Sequence, residues 1–334
     1  MDRIKRIYNS FYSKSTIAAF LLILIVASVV FSDQNFLSSL NIMNIFVKAA
    51  KNGGLLALGM AFVILIGEID LSVGAVLALS GVVMGIVGQI NPLLGIVAGL
   101  LVGVVTGAVL GFMVTKMKIS SWIASLAMMF GLRGLILIIA DKSIPVKGDL
   151  LRFANIKILP GVFPEIKAGI SILIPIFFVL TFICMYIAHN TKFGMSLYAV
   201  GGNSEAAKMM GLEVDKTKIK AFILSGLIAA LSGVLLASAS GSATLRAGDV
   251  YETYAIAMCA IGGIKLTGGE GKFSGVFFGI LIYFMINTIF TYLPTGISVH
   301  WQNIIMGLLV AVSVALQSDI FKNISFRKKE TALE

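Results

Sequence analysis

The chain has 334 residues, of which 58% are hydrophobic and 13% charged, with 35 glycines and a formal net charge of +10; its mean hydropathy is +0.99. Soluble domains run near one quarter charged residues, so too little polar surface is present to coat a water-soluble particle, and the natural solvent is lipid. Cys184 and Cys259 sit inside apolar runs, His189 and His300 lie far apart, and the basic residues form no aromatic-interleaved stripe, which excludes a disulfide framework, a zinc cluster and a nucleic-acid partner.

At roughly 20 apolar residues per crossing, the sequence predicts an all-α polytopic membrane protein, a single transmembrane domain over residues 1–334. Ten spans are expected, near 16–31, 44–66, 70–90, 93–113, 121–140, 168–188, 219–240, 253–264, 273–291 and 302–318. The segment 253–264 is too short for a core ~30 Å thick at 1.5 Å per residue, so it is either extended by its neighbours or a half-helix. Cytosolic loops are enriched in Lys and Arg. With the amino terminus inside, seventeen of the 26 basic residues fall at the cytosolic side, eight at the outer side, and Arg133 lies deep within a span. Both termini are then cytoplasmic, and the first run reads as an uncleaved span rather than a secretory signal. Two connections are long: 141–167 outside, containing PVKGDLLRFANIKILPGVFPE and expected to fold over the outer face, and 189–218 in the cytosol. Trp122, Tyr251, Tyr254, Tyr292 and Trp301 stand near span ends, where such side chains mark the lipid interface.

The first polar break is GEIDLSVGAVLALSG, which puts Glu68, Asp70 and Ser72 into an apolar stretch. Acids there are expensive unless they serve a purpose. Asp70 or Ser72 can cap the helix that opens near 73; alternatively Glu68 and Asp70 hold a coupling cation. The next span carries Gly95, Gly99, Gly103, Gly107 and Gly111 on one helical face, a ridge that permits close backbone contact. Packing within one chain is favoured over a seam between two chains. Arg133 is the one basic residue placed deep in the membrane and needs a partner or water; Asp249 and Glu68 are both candidates. GEID at 67–70 and GDV at 248–250 each precede an apolar helix, as an inverted repeat of spans 2–5 and 7–10 would have it. Candidates for translocation and gating are thus Glu68, Asp70, Ser72, Arg133, Asp249 and Glu252.

Within TKFGMSLYAVGGNSEAAKMMGLEVDKTK a short helix is expected. Asn203 or Ser204 can start it and Gly211 can stop it. Glu205 suits the first turn, and Met209 and Met210 are left exposed to dock elsewhere. Its docking residues are Asn203, Glu205, Ala206, Ala207, Met209, Met210 and Gly211. IGGIKLTGGEGKFSG only imitates a phosphate-binding loop: Phe273 follows Lys272 where Ser or Thr is needed, and no glycine stands five residues before Gly271. Its glycines serve a tight turn. No nucleophilic triad and no metalloprotease motif appears, so the chain is read as holding no metal and no catalytic residue.

Together GEIDLSVGAVLALSG, AVGGNSEAAKMMG, GDVYETYAIA with AIGGIKLTGGEGKFSG, and WQNIIMG resemble, over nearly the whole chain, the ribose-type sugar permeases of ATP-binding-cassette importers. The resemblance implies a bacterial inner-membrane subunit that carries a simple sugar, a pentose, hexose or relative. It implies three partners: a second permease, usually a copy of the same chain; a cytosolic ATPase, which binds ATP and Mg so that this chain needs no cofactor; and a periplasmic sugar-binding protein. It maps the coupling helix onto Asn203 to Gly211. Glu68 departs from the family, where many relatives carry Gly or another uncharged residue. The rival from the residues alone is a stand-alone ion-coupled transporter of a small polar solute, motivated by Glu68, Asp70 and Arg133.

Overall fold

The computed structural model describes residues 2–31, 36–148, 151–160, 169–292 and scattered positions between 301 and 315, with side chains from Thr16 onward. Twelve helices dominate these residues. They are α1 (Asp2–Val30), α2 (Ser39–Lys51), α3 (Gly54–Leu65), α4 (Val73–Val87), α5 (Pro92–Thr115), α6 (Ser121–Ile139), α7 (Leu173–Asn190), α8 (Lys192–Gly202), α9 (Ser204–Met209), α10 (Val214–Ser240), α11 (Tyr251–Ile261) and α12 (Phe273–Tyr292). Among the described residues α5, α6, α7, α10 and α12 are long and apolar enough to cross a membrane, and α2 with α3 make a sixth if the bent pair is one span. The chain is a polytopic membrane protein.

Ten uninterrupted spans are not what these residues form. The run 44–66 is bent by 52° between α2 and α3. At the bend Gly53 takes a φ of +91°, and a Cβ there would lie 2.6 Å from the Tyr251 ring, so no side chain fits. The expected span 70–90 is the 15-residue α4, ~22 Å long by its rise, and 253–264 is the 11-residue α11, ~16 Å long; both fall short of a ~30 Å core. The run 302–318 lies mostly outside the described residues.

The core is built from helices that are apolar on every side. All twelve residues of α3 are buried, and α10 packs along α5, α4 and α3. On α5, Asn91 caps the start, its Oδ1 accepting from the amides of Leu93 at 2.9 Å and Leu94 at 3.1 Å. Two stripes at a spacing of four then run down the helix, offset by two residues and so ~200° apart. Leu93, Val97, Leu101, Val105 and Val109 point outward, where lipid suits them. Gly95, Gly99, Gly103, Gly107 and Gly111 point inward, onto the Gly88, Ser80, Gly226, Phe222 and Ile219 positions of α4 and α10. The glycine ridge is a seam inside one chain.

At one end of the bundle, where α5 begins and α10 finishes, β1 (Ile144–Pro145) pairs antiparallel with β4 (Ser242–Ala243), and β2 (Lys157–Ile158) with β3 (Ile170–Ser171). The turn at Phe153–Asn155 is tied to α10: Ser238 Oγ accepts from the Ala154 amide at 3.0 Å, and Asn155 Nδ2 donates to the Ser238 carbonyl. We call this the strand end. The opposite end, where α5 finishes and α10 begins, carries Lys116, Lys118, Lys208, Lys216 and Lys218, and we call it the lysine-rich end.

Gly103 and Gly226 face each other so closely that a Cβ on either would meet the other's carbonyl oxygen. Gly103→Leu should therefore lower stability in detergent by at least about 1–3 kcal/mol, as overpacking does, or prevent accumulation in the membrane. Val105→Ala, on the outward stripe, should leave the melting temperature within about 2 °C, since surface substitutions are worth within about 0.5 kcal/mol. Equal losses in both variants would contradict the two-stripe assignment.

Candidate translocation and coupling sites

At the lysine-rich end the six-residue α9 is defined by its caps. Asn203 Oδ1 accepts from the amides of Glu205 at 3.0 Å and Ala206 at 2.9 Å, which satisfies two donors that a helix start leaves free. At the other end Gly211 adopts a φ of +82°. Its amide donates to the Lys208 carbonyl at 3.0 Å and the Leu212 amide to that of Ala207 at 3.0 Å, the paired closure of a Schellman motif. Glu205 in the first turn and Lys208 in the last complement the helix dipole. Ala207 is buried and seats the helix, while Met209 and Met210 stand 83% and 70% exposed. Apolar, flexible side chains so exposed suit a groove on another molecule. The phenol of Tyr198, on α8 before it, donates to the Gly271 carbonyl at 3.0 Å; burial pushes its pKa up to about 12, so it stays a neutral donor.

The first interrupted span closes α3 in the same manner: Gly67, at φ +77°, donates to Ile64 O at 2.9 Å, and Glu68 N donates to Val63 O at 3.1 Å. The break is then carried by side chains. Ser121 Oγ accepts from the Ile69 amide at 3.2 Å. Asp70, 2% exposed, accepts from the Ser72 amide at 2.9 Å and hydroxyl at 2.6 Å. Ser72 occupies the N-cap position of α4 but makes no capping bond with its own side chain; the carboxylate of Asp70 holds it instead. Glu68 turns the other way and forms an ion pair with Lys218 of α10. The two acids of this motif therefore do not share one site, and a cation held between them finds no support in the geometry.

The second break, 241–250, begins with the pairing of β4 to β1 and is then tied to α6 by the side chain of Arg133. Arg133 Nη2 meets Asp249 Oδ1 at 2.8 Å, and Nη1 donates to Ala247 O at 2.9 Å and Leu245 O at 3.3 Å. Of its two sequence candidates, Asp249 is the partner and Glu68 is not. Arg133 is twelve residues into α6, ~18 Å from that helix's start. Gly248, at φ +68°, lies against Gly74, and a Cβ on Gly74 would come 2.7 Å from Glu252 Oε2. The opening turns of α4 and α11 thus meet. The pair Arg133–Asp249 is unevenly shielded, with side-chain exposures of 22% and 50%.

The glycine-rich turn between α11 and α12 is structural. Gly268, Gly269 and Gly271 all have positive φ, Gly269 N donates to Leu65 O at 2.9 Å, and Lys265 N to Glu270 O at 3.1 Å, so the turn seals the end of α3. Cys184 and Cys259 are buried free thiols, and among the described residues no three His, Cys, Asp or Glu side chains come together. Sequence reasoning missed Lys218 and Ser121, whose partners lie 150 and 52 residues away; no local pattern marks them.

Arg133→Met should cost more than Asp249→Asn, because it removes the pair and also leaves the Leu245 and Ala247 carbonyls without their donor, whereas Asp249→Asn keeps both. Thermal unfolding in detergent would read the difference; an Asp249→Asn loss equal to or greater than that of Arg133→Met would contradict the clamp.

Compared with known proteins, the chain matches over residues 41–314 the family described as branched-chain amino acid transport system / permease component. It is 38% identical over 301 residues to a ribose import permease protein of Bacillus subtilis (strain 168), covering 89% of each chain. It is 35% identical to the ribose import permease protein of Escherichia coli (strain K12), covering 91% of this chain and 93% of that one. To the L-arabinose transport system permease protein of the same strain it is 36% identical, covering 87% and 86%. No solved structure matches.

Proposed function

The chain belongs to the branched-chain amino acid transport system / permease component family, and on that premise we propose that it is the membrane subunit of an ATP-driven importer for a simple sugar. The observation that carries this reading is α9, a capped helix of six residues that presents Met209 and Met210 and runs through four residues into the longest buried helix, α10. Such an element converts contact with a second protein into force on the core. The relatives named for ribose and L-arabinose make a pentose the first solute to test.

In this reading α9 seats in a cleft of a cytosolic ATPase, which binds ATP and Mg, and a periplasmic binding protein delivers the sugar. The lysine-rich end then faces the cytosol, as the positive-inside rule requires, and both termini of this chain of the bacterial inner membrane lie on that side. A cavity of about 720 Å³ opens at this end between α9, the α5–α6 turn and the start of α10. Movement of α9 on nucleotide binding rocks α10, and the two breaks respond, since they are where the helices lack continuous hydrogen bonding.

The polar groups available to a sugar path are those of the second break. Asp249 is half exposed at a depth where lipid would make a charge expensive, so this face borders water or a second copy of the chain. The carboxylates of Asp249 and Glu252, three residues apart, and the guanidinium that α6 brings to Asp249 offer acceptors and donors that match sugar hydroxyls. The interrupted helices α4 and α11, entering from opposite sides, are the two halves expected of an inverted repeat.

The test uses the chain reconstituted in vesicles with its ATPase and binding protein. Labelled pentose should enter only with ATP, and an ion gradient alone should drive none; uptake driven by the gradient without ATP would favour the ion-coupled rival. Gly211→Pro cannot adopt a φ of +82°, and Glu205→Arg opposes the helix dipole. Each should insert normally yet lose at least tenfold of ATP-driven uptake. Full uptake in both would remove α9 as the coupling element.

A further inference from the structure

We propose that the Glu68–Lys218 ion pair is the mechanical link between α9 and the interrupted α3–α4 span, a positioning pair that carries displacement of α9 to the start of α4. The inference rests on the importer reading above. Lys218 lies in the second turn of α10, four residues from that helix's start and seven from Gly211. Whatever moves α9 therefore reaches Lys218 through less than three turns of chain.

On the other side, Glu68 is tightly placed. Its amide is bound to Val63 O at the end of α3, the next amide is bound to Ser121 Oγ, and Asp70 grips Ser72, the N-cap residue of α4. A pull on the Glu68 carboxylate is thus a pull on a short stretch whose far end is the α4 opening, where Gly74 touches Gly248 of the second break. One ion pair consequently joins the coupling element to both interruptions.

The shielding of this pair separates it from its neighbours. Glu68 and Lys218 are 16% and 19% exposed, whereas Lys116–Asp215, Lys118–Asp215 and Lys216–Glu213 at the same end have side chains 38–75% exposed. Exposed pairs are screened by salt and hold no fixed geometry. A shielded pair does hold one, because separating it leaves charge in poor surroundings. Asp215, near the pair on α10, is engaged by Lys116 at 2.7 Å, and among the described residues Glu68 is the acid that pairs with Lys218.

The experiment measures sugar taken up and ATP hydrolysed in the same vesicles, for the wild-type complex, Glu68→Gln, Lys218→Met and the exchange Glu68→Lys with Lys218→Glu. Each single variant is expected to lower the ratio of sugar to ATP at least fivefold, and the exchange to restore it to within twofold of wild type. A pair that merely staples the fold would lower thermal stability and leave the ratio unchanged; an unchanged ratio in both single variants overturns the proposal, whatever happens to stability. An exchange variant that accumulates and folds but does not recover the ratio overturns it as well. A wild-type complex with no ATP-driven uptake would instead defeat the importer reading, so the two failures are told apart by the control.

Discussion

Lipid gives apolar helices no reason to leave it for one another, so their association depends on how closely backbones approach. This chain meets that constraint with glycine at each crossing that matters. Gly103 against Gly226 sets the α5–α10 distance, Gly74 against Gly248 sets the meeting of α4 and the second break, and Gly262 against Gly275 and Gly279 sets that of α11 and α12. A Cβ at any of these would meet a backbone atom, which cannot swing aside as a side chain can. The leucines, valines and phenylalanines that dominate the composition fill the space around these crossings rather than decide where they fall.

The second requirement is that backbone groups freed by an interruption find partners inside the protein. Each break does so with a different device. After α3 it is a glycine closure followed by Ser121 and Asp70; after α10 it is the guanidinium of Arg133, which takes two carbonyls and a carboxylate together. The polar residues that look out of place in an apolar sequence are thereby accounted for. At the second break Asp249 keeps half of its side chain exposed beyond its pair with Arg133.

Much of this was legible in the residues. The six residues of α9 announce themselves through Asn203 and Gly211, because helix caps are local chemistry that needs no knowledge of the rest of the fold. The ridge of α5 is legible for the same reason: a spacing of four puts its glycines on one face whatever they touch. Partners are another matter. Arg133 had two acids to choose from, and only the path of the chain after α10 brings Asp249 to it. Lys218 read as one more cytosolic lysine, since nothing local to it points to a glutamate 150 residues away. The bend at Asn52–Gly53 carries a local signal, since Asn-Gly-Gly marks a break, but the sequence shows nothing of the Tyr251 ring that leaves no room for a side chain at Gly53.

The two stripes of α5 also decide how the bundle can deform. If α5 slid along α10 by less than one repeat of four residues, ~6 Å at 1.5 Å per residue, a residue beside the glycines, such as Val102, Thr106 or Leu110, would be driven toward a carbonyl where a glycine now sits. Small sliding is therefore blocked, and the two helices travel as a single stiff lever. With 27 residues in α10, that lever is ~40 Å long, so a tilt of a few degrees begun beside α9 emerges as a shift of several ångströms at Ser238 and the short strands it anchors.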